Sequence, residues 1–176
     1  MKSVIIDTSS AILLFKSELI AQLVKSYRTL ITVSVYDELT KQGYAGSDKF
    51  RRLCSRKQIQ ILTAQKDTVP EKQKYPELPA LNRGERDTIT QQILGAADFI
   101  IIDDGRALKY CKKVGLPFIN ALLFPRILFQ NRSISEAEYH HKMAEIIQYG
   151  RYSKKIIHIA STFSDQAIQP FLPGNN

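Results

Sequence analysis

Val4-Ile5-Ile6 runs directly into Asp7-Thr8-Ser9-Ser10, three β-prone apolar residues followed by an acid and three hydroxyls. The pattern predicts a buried strand feeding the start of a helix, where Asp, Ser and Thr can bond the free N–H groups of the first turn. Taken alone, Asp7 is accounted for as a helix cap. A second run of the same design, Phe99-Ile100-Ile101-Ile102, ends in Asp103-Asp104. If the two strands lie side by side in one parallel sheet, their terminal acids meet at its carboxyl edge. That edge is where α/β sheets place ligands and chemistry.

The remaining chain supplies the other parts of such a sheet. Apolar spacing over Ala11–Lys25 predicts one or two amphipathic helices, and the β-branched Thr29–Val33 predicts a second strand. Ser34 then reads as the N-cap of a helix over Val35–Gln42, with Asp37 at the capping-box position and Gly43 as its stop. A helix over Ser47–Arg56 and a strand over Gln58–Leu62 follow. Thr63–Leu81 holds three prolines and no periodicity, which predicts a long functional or mobile loop. Asn82 opens a helix reaching Leu94, with its acids in the first turn, where the helix dipole favours them. After the Phe99–Ile102 strand come a helix over Gly105–Val114 and a short strand, Phe118-Ile119. From Ala121 the pattern is helical, with one helix expected from Ser133, boxed by Glu136, to Tyr149 and a basic one over Tyr152–Ser161. This alternation predicts an α/β fold of three layers, α/β/α, with a parallel sheet of about four to five strands plus C-terminal helices. Three spans are expected: a catalytic domain over residues 1–124, a helical extension packed on it over 125–165, and a flexible tail over 166–176.

Composition limits what such a domain does. The 176 residues carry 25 Lys and Arg against 17 Asp and Glu, a net charge of +8, which suits a polyanionic partner and nucleic acid first. Cys54 and Cys111 are too few for a disulfide framework and match no zinc spacing. Val4–Ile6 is too short for a secretory core, and no apolar run spans a bilayer, so a reducing, cytoplasmic setting is expected.

Four acids share one kind of placement: Asp7 and Asp103 at strand ends, Glu38 and Glu85 in early turns of helices. Right-handed crossovers bring all four to the same sheet edge. Converging carboxylates repel, and a divalent cation relieves them; an oxygen-only donor set without His or Cys selects Mg²⁺ or Mn²⁺. Such a site can activate a water and neutralise a phosphodiester during in-line displacement. Singly, Glu38 and Glu85 are better explained as solvated helix-start residues.

The chain resembles the PIN domain nucleases, a fold common among toxins of toxin–antitoxin pairs. The resemblance lies in Val4–Ser9, in Val35-Tyr36-Asp37-Glu38-Leu39, in Leu81–Ile89, in Phe99–Ala107 and in Lys112–Pro117, over about Ser3 to Leu123. It is nearest to the branch whose third acid sits in a Gly-Glu pair, here Gly84-Glu85. The resemblance implies that Asp7, Glu38, Glu85 and Asp103 are catalytic metal ligands, joined by Asp104, and that Thr8 or Ser9 supports the first acid. Asp87 is either a further acid or a residue complementing the helix dipole. It implies metal-dependent cleavage of single-stranded RNA, with a cognate antitoxin protein and a second copy of the chain as candidate partners. The alternative is a catalytically inactive PIN-fold module that binds nucleic acid or protein. A dehalogenase-type phosphatase would need an acid where Ser9 stands, and no Gly-x-Gly-x-x-Gly or Walker loop occurs.

Arg106, just after the acid pair, is the candidate for holding a substrate phosphate. Basic clusters at Lys49/Arg51/Arg52, Lys109/Lys112/Lys113 and Arg151/Lys154/Lys155 read as solvated helix faces or nucleic-acid contacts. Tyr110 and Tyr152 are placed to stack on bases. His140 and His141, being adjacent, read as surface residues.

Overall fold

The computed structural model describes residues 1–63 and 78–174; the middle of the Thr63–Leu81 loop and the last two residues of the expected tail lie outside the described residues. Five strands, β1 (Ser3–Ile6), β2 (Arg28–Thr32), β3 (Ile59–Leu62), β4 (Phe99–Ile101) and β5 (Phe118–Ile119), form one parallel sheet in the order β3-β2-β1-β4-β5. The helices in chain order are α1 (Thr8–Lys16), α2 (Ile20–Ser26), α3 (Val33–Leu39), α4 (Ser47–Ser55) and α5 (Arg83–Ile93), then α6 (Gly105–Lys113), α7 (Phe124–Gln130), α8 (Glu136–Tyr149), α9 (Lys154–Thr162) and α10 (Asp165–Ile168). None of them is long and apolar enough to cross a membrane.

β1 is the middle strand, and all four of its residues are buried. Its side chains divide between two cores because successive residues point to opposite faces of a strand. Val4 and Ile6 join Ile31, Phe99 and Ile101 beneath α1, α2, α7 and α8, whereas Ile5 joins Leu30, Ile100 and Ile102 beneath α5 and α6. Burying each of these side chains contributes about 1.5–3 kcal/mol relative to exposure, which explains why the runs are apolar without alternation. The layers are therefore α/β/α, and Ile5↔Ile100 register sets the ends of β1 and β4 level with each other.

Two helix caps differ from the sequence expectation. α3 begins at Val33, capped by Thr32, whose side chain accepts from the Val35 N–H; Asp37 makes no capping box. Thr32 thus ends the strand and caps the helix at once, leaving Ser34 already inside it. α8 begins at Glu136, not Ser133, with Ser135 and Glu138 forming the capping box. Ser133 instead donates its N–H to the Leu128 carbonyl at 2.8 Å, closing α7 after Arg132, whose φ is 55°.

The segment expected to be a flexible tail folds back as far as Gly174 is described. Ile168 is buried, the Phe171 ring meets Phe99 edge-on at 5.3 Å, and the Tyr27 hydroxyl donates to the Phe171 carbonyl at 2.7 Å.

Candidate active site

The strand-end turns do place Asp7 and Asp103 together, and one residue joins them. Asp7 caps α1: its Oδ1 accepts from the Ser10 N–H at 2.9 Å and its Oδ2 from the Ser9 hydroxyl at 2.6 Å. The Ser10 hydroxyl turns the other way and donates to Asp103 Oδ2 at 2.6 Å. That oxygen also accepts from the Ala121 N–H at 3.0 Å, while Asp103 Oδ1 accepts from the Tyr152 hydroxyl. Ser10 is fully buried, so its two bonds tie the ends of adjacent strands through a single side chain.

Burial pushes the Asp7 carboxyl up to about 7, the charge of Asp103 adds to the rise, and the bonds from Ser10 and Ser9 offset part of it. Asp103 is also raised, chiefly by burial, against the donors Ser10, Tyr152 and Ala121. Burial likewise raises Glu85, with the Asp104 charge next, while Asn82 and Arg106 pull it back. Glu38 is exposed and held by the Thr8 hydroxyl at 2.5 Å. Glu85 is held by its own capping box, Oε2 accepting from the Asn82 N–H at 3.2 Å.

Gly84 explains why the third acid sits in a Gly-Glu pair. A Cβ on Gly84 would stand 3.1 Å from Glu38 Oε1, tighter than ordinary packing, so a side chain there would shift the Glu38 carboxylate by a few tenths of an ångström.

Two adjoining cavities hold these acids. One, of about 440 Å³, is lined by Asp7, Thr8, Glu38 and Glu85 and by Lys41 and Tyr44. The other, of about 620 Å³, is lined by Glu85, Asp103 and Asp104 and by Lys16, Tyr149 and Arg151. Ser9, Ile12 and Glu85 line both. A family model described as a PIN domain matches residues 3–161. The chain belongs to the PIN domain family. This PIN domain therefore includes α7 and α8 and most of α9, beyond the stretch over which the sequence motifs run. Its fold is a nuclease-type fold. Comparison with curated proteins gives no match.

The donor chemistry suits a hard divalent cation: every candidate ligand is a carboxylate, and the charge of Asp103 adds to the cost of ionising the buried Asp7. The acids stand as an Asp7–Asp103 pair, a Glu85–Asp104 pair and Glu38; among the described residues no three Asp, Glu, His or Cys side chains are grouped closely enough to hold an ion as they stand. Asp104 caps α6, accepting from the Arg106 and Ala107 N–H groups at 2.8 and 3.0 Å. Arg106 is exposed, and its charge reaches Glu85. Asp87 instead pairs with Arg83 and Arg86 and lines neither acid cavity.

The two aromatic expectations change. Tyr110 is buried within the α5–α6 core, and Tyr152 is half-buried in the wall of the second cavity with its hydroxyl committed to Asp103. Sequence reasoning missed Ser10, Lys41, Tyr44 and Tyr149, and it named Tyr152 for stacking and not as a donor to Asp103. Ser10 alone carried a signal, as the third hydroxyl of the Thr8-Ser9-Ser10 run.

Proposed function

We propose that this PIN domain is a divalent-metal-dependent endoribonuclease in which Asp7, Glu38, Glu85 and Asp103, with Asp104 beside them, hold Mg²⁺ or Mn²⁺. The observation that carries this reading is the Asp7–Ser10–Asp103 cluster. Two carboxylates from adjacent strand ends are joined through Ser10, and the donors they have are hydroxyls and backbone N–H groups. Such a pair is costly to ionise without a counter-ion, and its retention at the carboxyl edge of the sheet is explained by one. When bound, the ion supplies charge for a phosphodiester and lowers the pKa of a water. The chain's own residues fix the acids: Ser10 and Tyr152 orient Asp103, Thr8 orients Glu38, and Asn82 orients Glu85. The net charge of +8 favours encounter with RNA.

The test is cleavage of a fluorophore-quenched single-stranded RNA with Mg²⁺ or Mn²⁺. Wild type is expected to cleave and to stop in EDTA, and Asp7→Ala to be inactive; equal turnover by both proteins would sink the reading. Mn²⁺ should also raise the melting temperature of wild type, since a ligand that binds only the folded state stabilises it.

A second reading, a non-catalytic binding module on the same fold, is favoured by the absence among the described residues of three acids grouped for an ion. It expects RNA binding without cleavage and a melting temperature indifferent to Mn²⁺.

A further inference from the structure

Among the described residues two tyrosines are left exposed, Tyr44 at 52% and Tyr149 at 41%. Scattered exposed aromatics need no explanation. These two are not scattered: each lines one of the two cavities that hold the acids, and the cavities adjoin through Ser9, Ile12 and Glu85. Each also has cations on the same wall. Lys41 lies with Tyr44, while Lys16 and Arg151 lie with Tyr149, and Lys16 Nζ sits 6.0 Å from the Tyr149 ring centroid.

We propose that a single nucleic-acid strand crosses the acids between two aromatic steps, stacking one base on Tyr44 and another on Tyr149, with Lys41 on one flank and Lys16 and Arg151 on the other meeting its phosphates. Stacking is open to any base, and cations are needed wherever a polyanion must pass a row of carboxylates. The backbone turns that carry both steps are held in place before a ligand arrives. The Tyr44 turn is closed by a Tyr44 N–H to Lys41 carbonyl bond at 3.2 Å and a Ser47 N–H to Tyr44 carbonyl bond at 3.1 Å. It seats on α1 through Gly46, where φ is +91° and a Cβ would stand 2.7 Å from the Phe15 ring. The Tyr149 turn seats in the same manner: a Cβ on Gly150 would overlap the Tyr152 ring, and the Tyr152 hydroxyl is bonded to Asp103. A fixed platform loses less entropy on binding than a mobile one.

The inference takes its ligand class from the ribonuclease reading but does not depend on cleavage, because the steps lie outside the carboxylates. The test is fluorescence anisotropy of a labelled single-stranded oligouridine in EDTA. Wild type should bind, and more weakly as salt rises. Tyr44→Ala and Tyr149→Ala should each lose about tenfold in affinity, and Tyr44→Phe and Tyr149→Phe should regain most of it, since Phe keeps the stacking face. Melting curves check that each variant is folded. Alanine variants that bind like wild type, or phenylalanine variants that fail to restore binding, overturn the proposal and leave the tyrosines as surface for a protein partner. A wild type that does not bind the strand overturns this inference and leaves the ribonuclease reading to the cleavage assay with Mn²⁺. A wild type that binds with the expected tyrosine dependence but never cleaves with Mn²⁺ overturns only the latter.

Discussion

Asp7 and Asp103 end adjacent strands at the same level of the sheet, yet they are held in opposite ways. Asp7 is bonded by Ser9 and Ser10, two and three residues away, in a turn it caps itself. Asp103 is bonded by Ser10, Ala121 and Tyr152, which lie 93, 18 and 49 residues away. One acid is made by its own turn, and the other is made by the assembled fold. The position of Asp7 should therefore tolerate changes elsewhere in the chain, while that of Asp103 depends on the α8–α9 turn staying docked.

The largest effect expected is on cleavage. Asp7→Asn and Asp103→Asn should each lower RNA turnover by about a thousandfold, as loss of a metal ligand worth about 4 kcal/mol at the transition state predicts. Metal-free Asp7→Asn should nevertheless melt no lower than wild type, because the substitution removes a buried charge beside Asp103. A variant that loses activity only by unfolding would erase the distinction between site and scaffold.

Gly84→Ala comes next and tests the contact between α5 and α3. The new Cβ presses on Glu38, so turnover should fall about tenfold to a hundredfold, as misplacement of a catalytic group costs. Its melting temperature should stay level or rise, since Ala favours a helix over Gly by about 1 kcal/mol. Loss of stability with full activity would show that α5 is free to move away from Glu38.

The third prediction concerns pH without metal. Asp7 has a folded-state pKa of about 7, above its unfolded value, so over that window the folded state binds more protons than the unfolded state. Its stabilising effect is full below about pH 4 and is lost as pH rises through 7, at a slope of up to about 1.4 kcal/mol per pH unit. Denaturant titrations of wild type at pH 5 and 7 should show this loss, and Asp7→Asn should show less of it, because Asp103 and Glu85 are raised as well.

The smallest effect sharpens the comparison on the tertiary side. Tyr152→Phe keeps the ring but leaves Asp103 Oδ1 without its donor, which should cost about 1–3 kcal/mol and lower the metal-free melting temperature by several degrees. Ser9→Ala removes a bond to Asp7 from an exposed side chain and should cost less. If the two variants cost the same, long-range holding adds nothing to Asp103.

Much of the frame was legible because it is written in short-range terms. Unbroken apolar runs at Val4–Ile6 and Phe99–Ile102 marked strands covered on both faces, and the acids following Asn82 marked a helix start by suiting the dipole of its first turn. The same logic went astray at Ser34 and Ser133, where a better-placed hydroxyl stood two residues away at Thr32 and Ser135. Several hydroxyls offered nearly equal caps, and only the strand end and the closing turn of α7 chose among them. Residues 125–161 carried helical periodicity but no sign of where they dock, since an amphipathic face does not name its partner.

By itself the sequence determined the parallel α/β frame, the four acids at comparable points of successive units, and the local bonds that hold Asp7 and Glu85. These follow from contacts within a few residues, whose energies depend on residue type and spacing. The tertiary structure decided that Ser10 joins the two strand ends, that Tyr152 reaches Asp103 from the C-terminal helices, and that Tyr44 and Tyr149 flank the acids. Those contacts depend on how distant segments pack against the two faces of one sheet, and no local pattern carries that information.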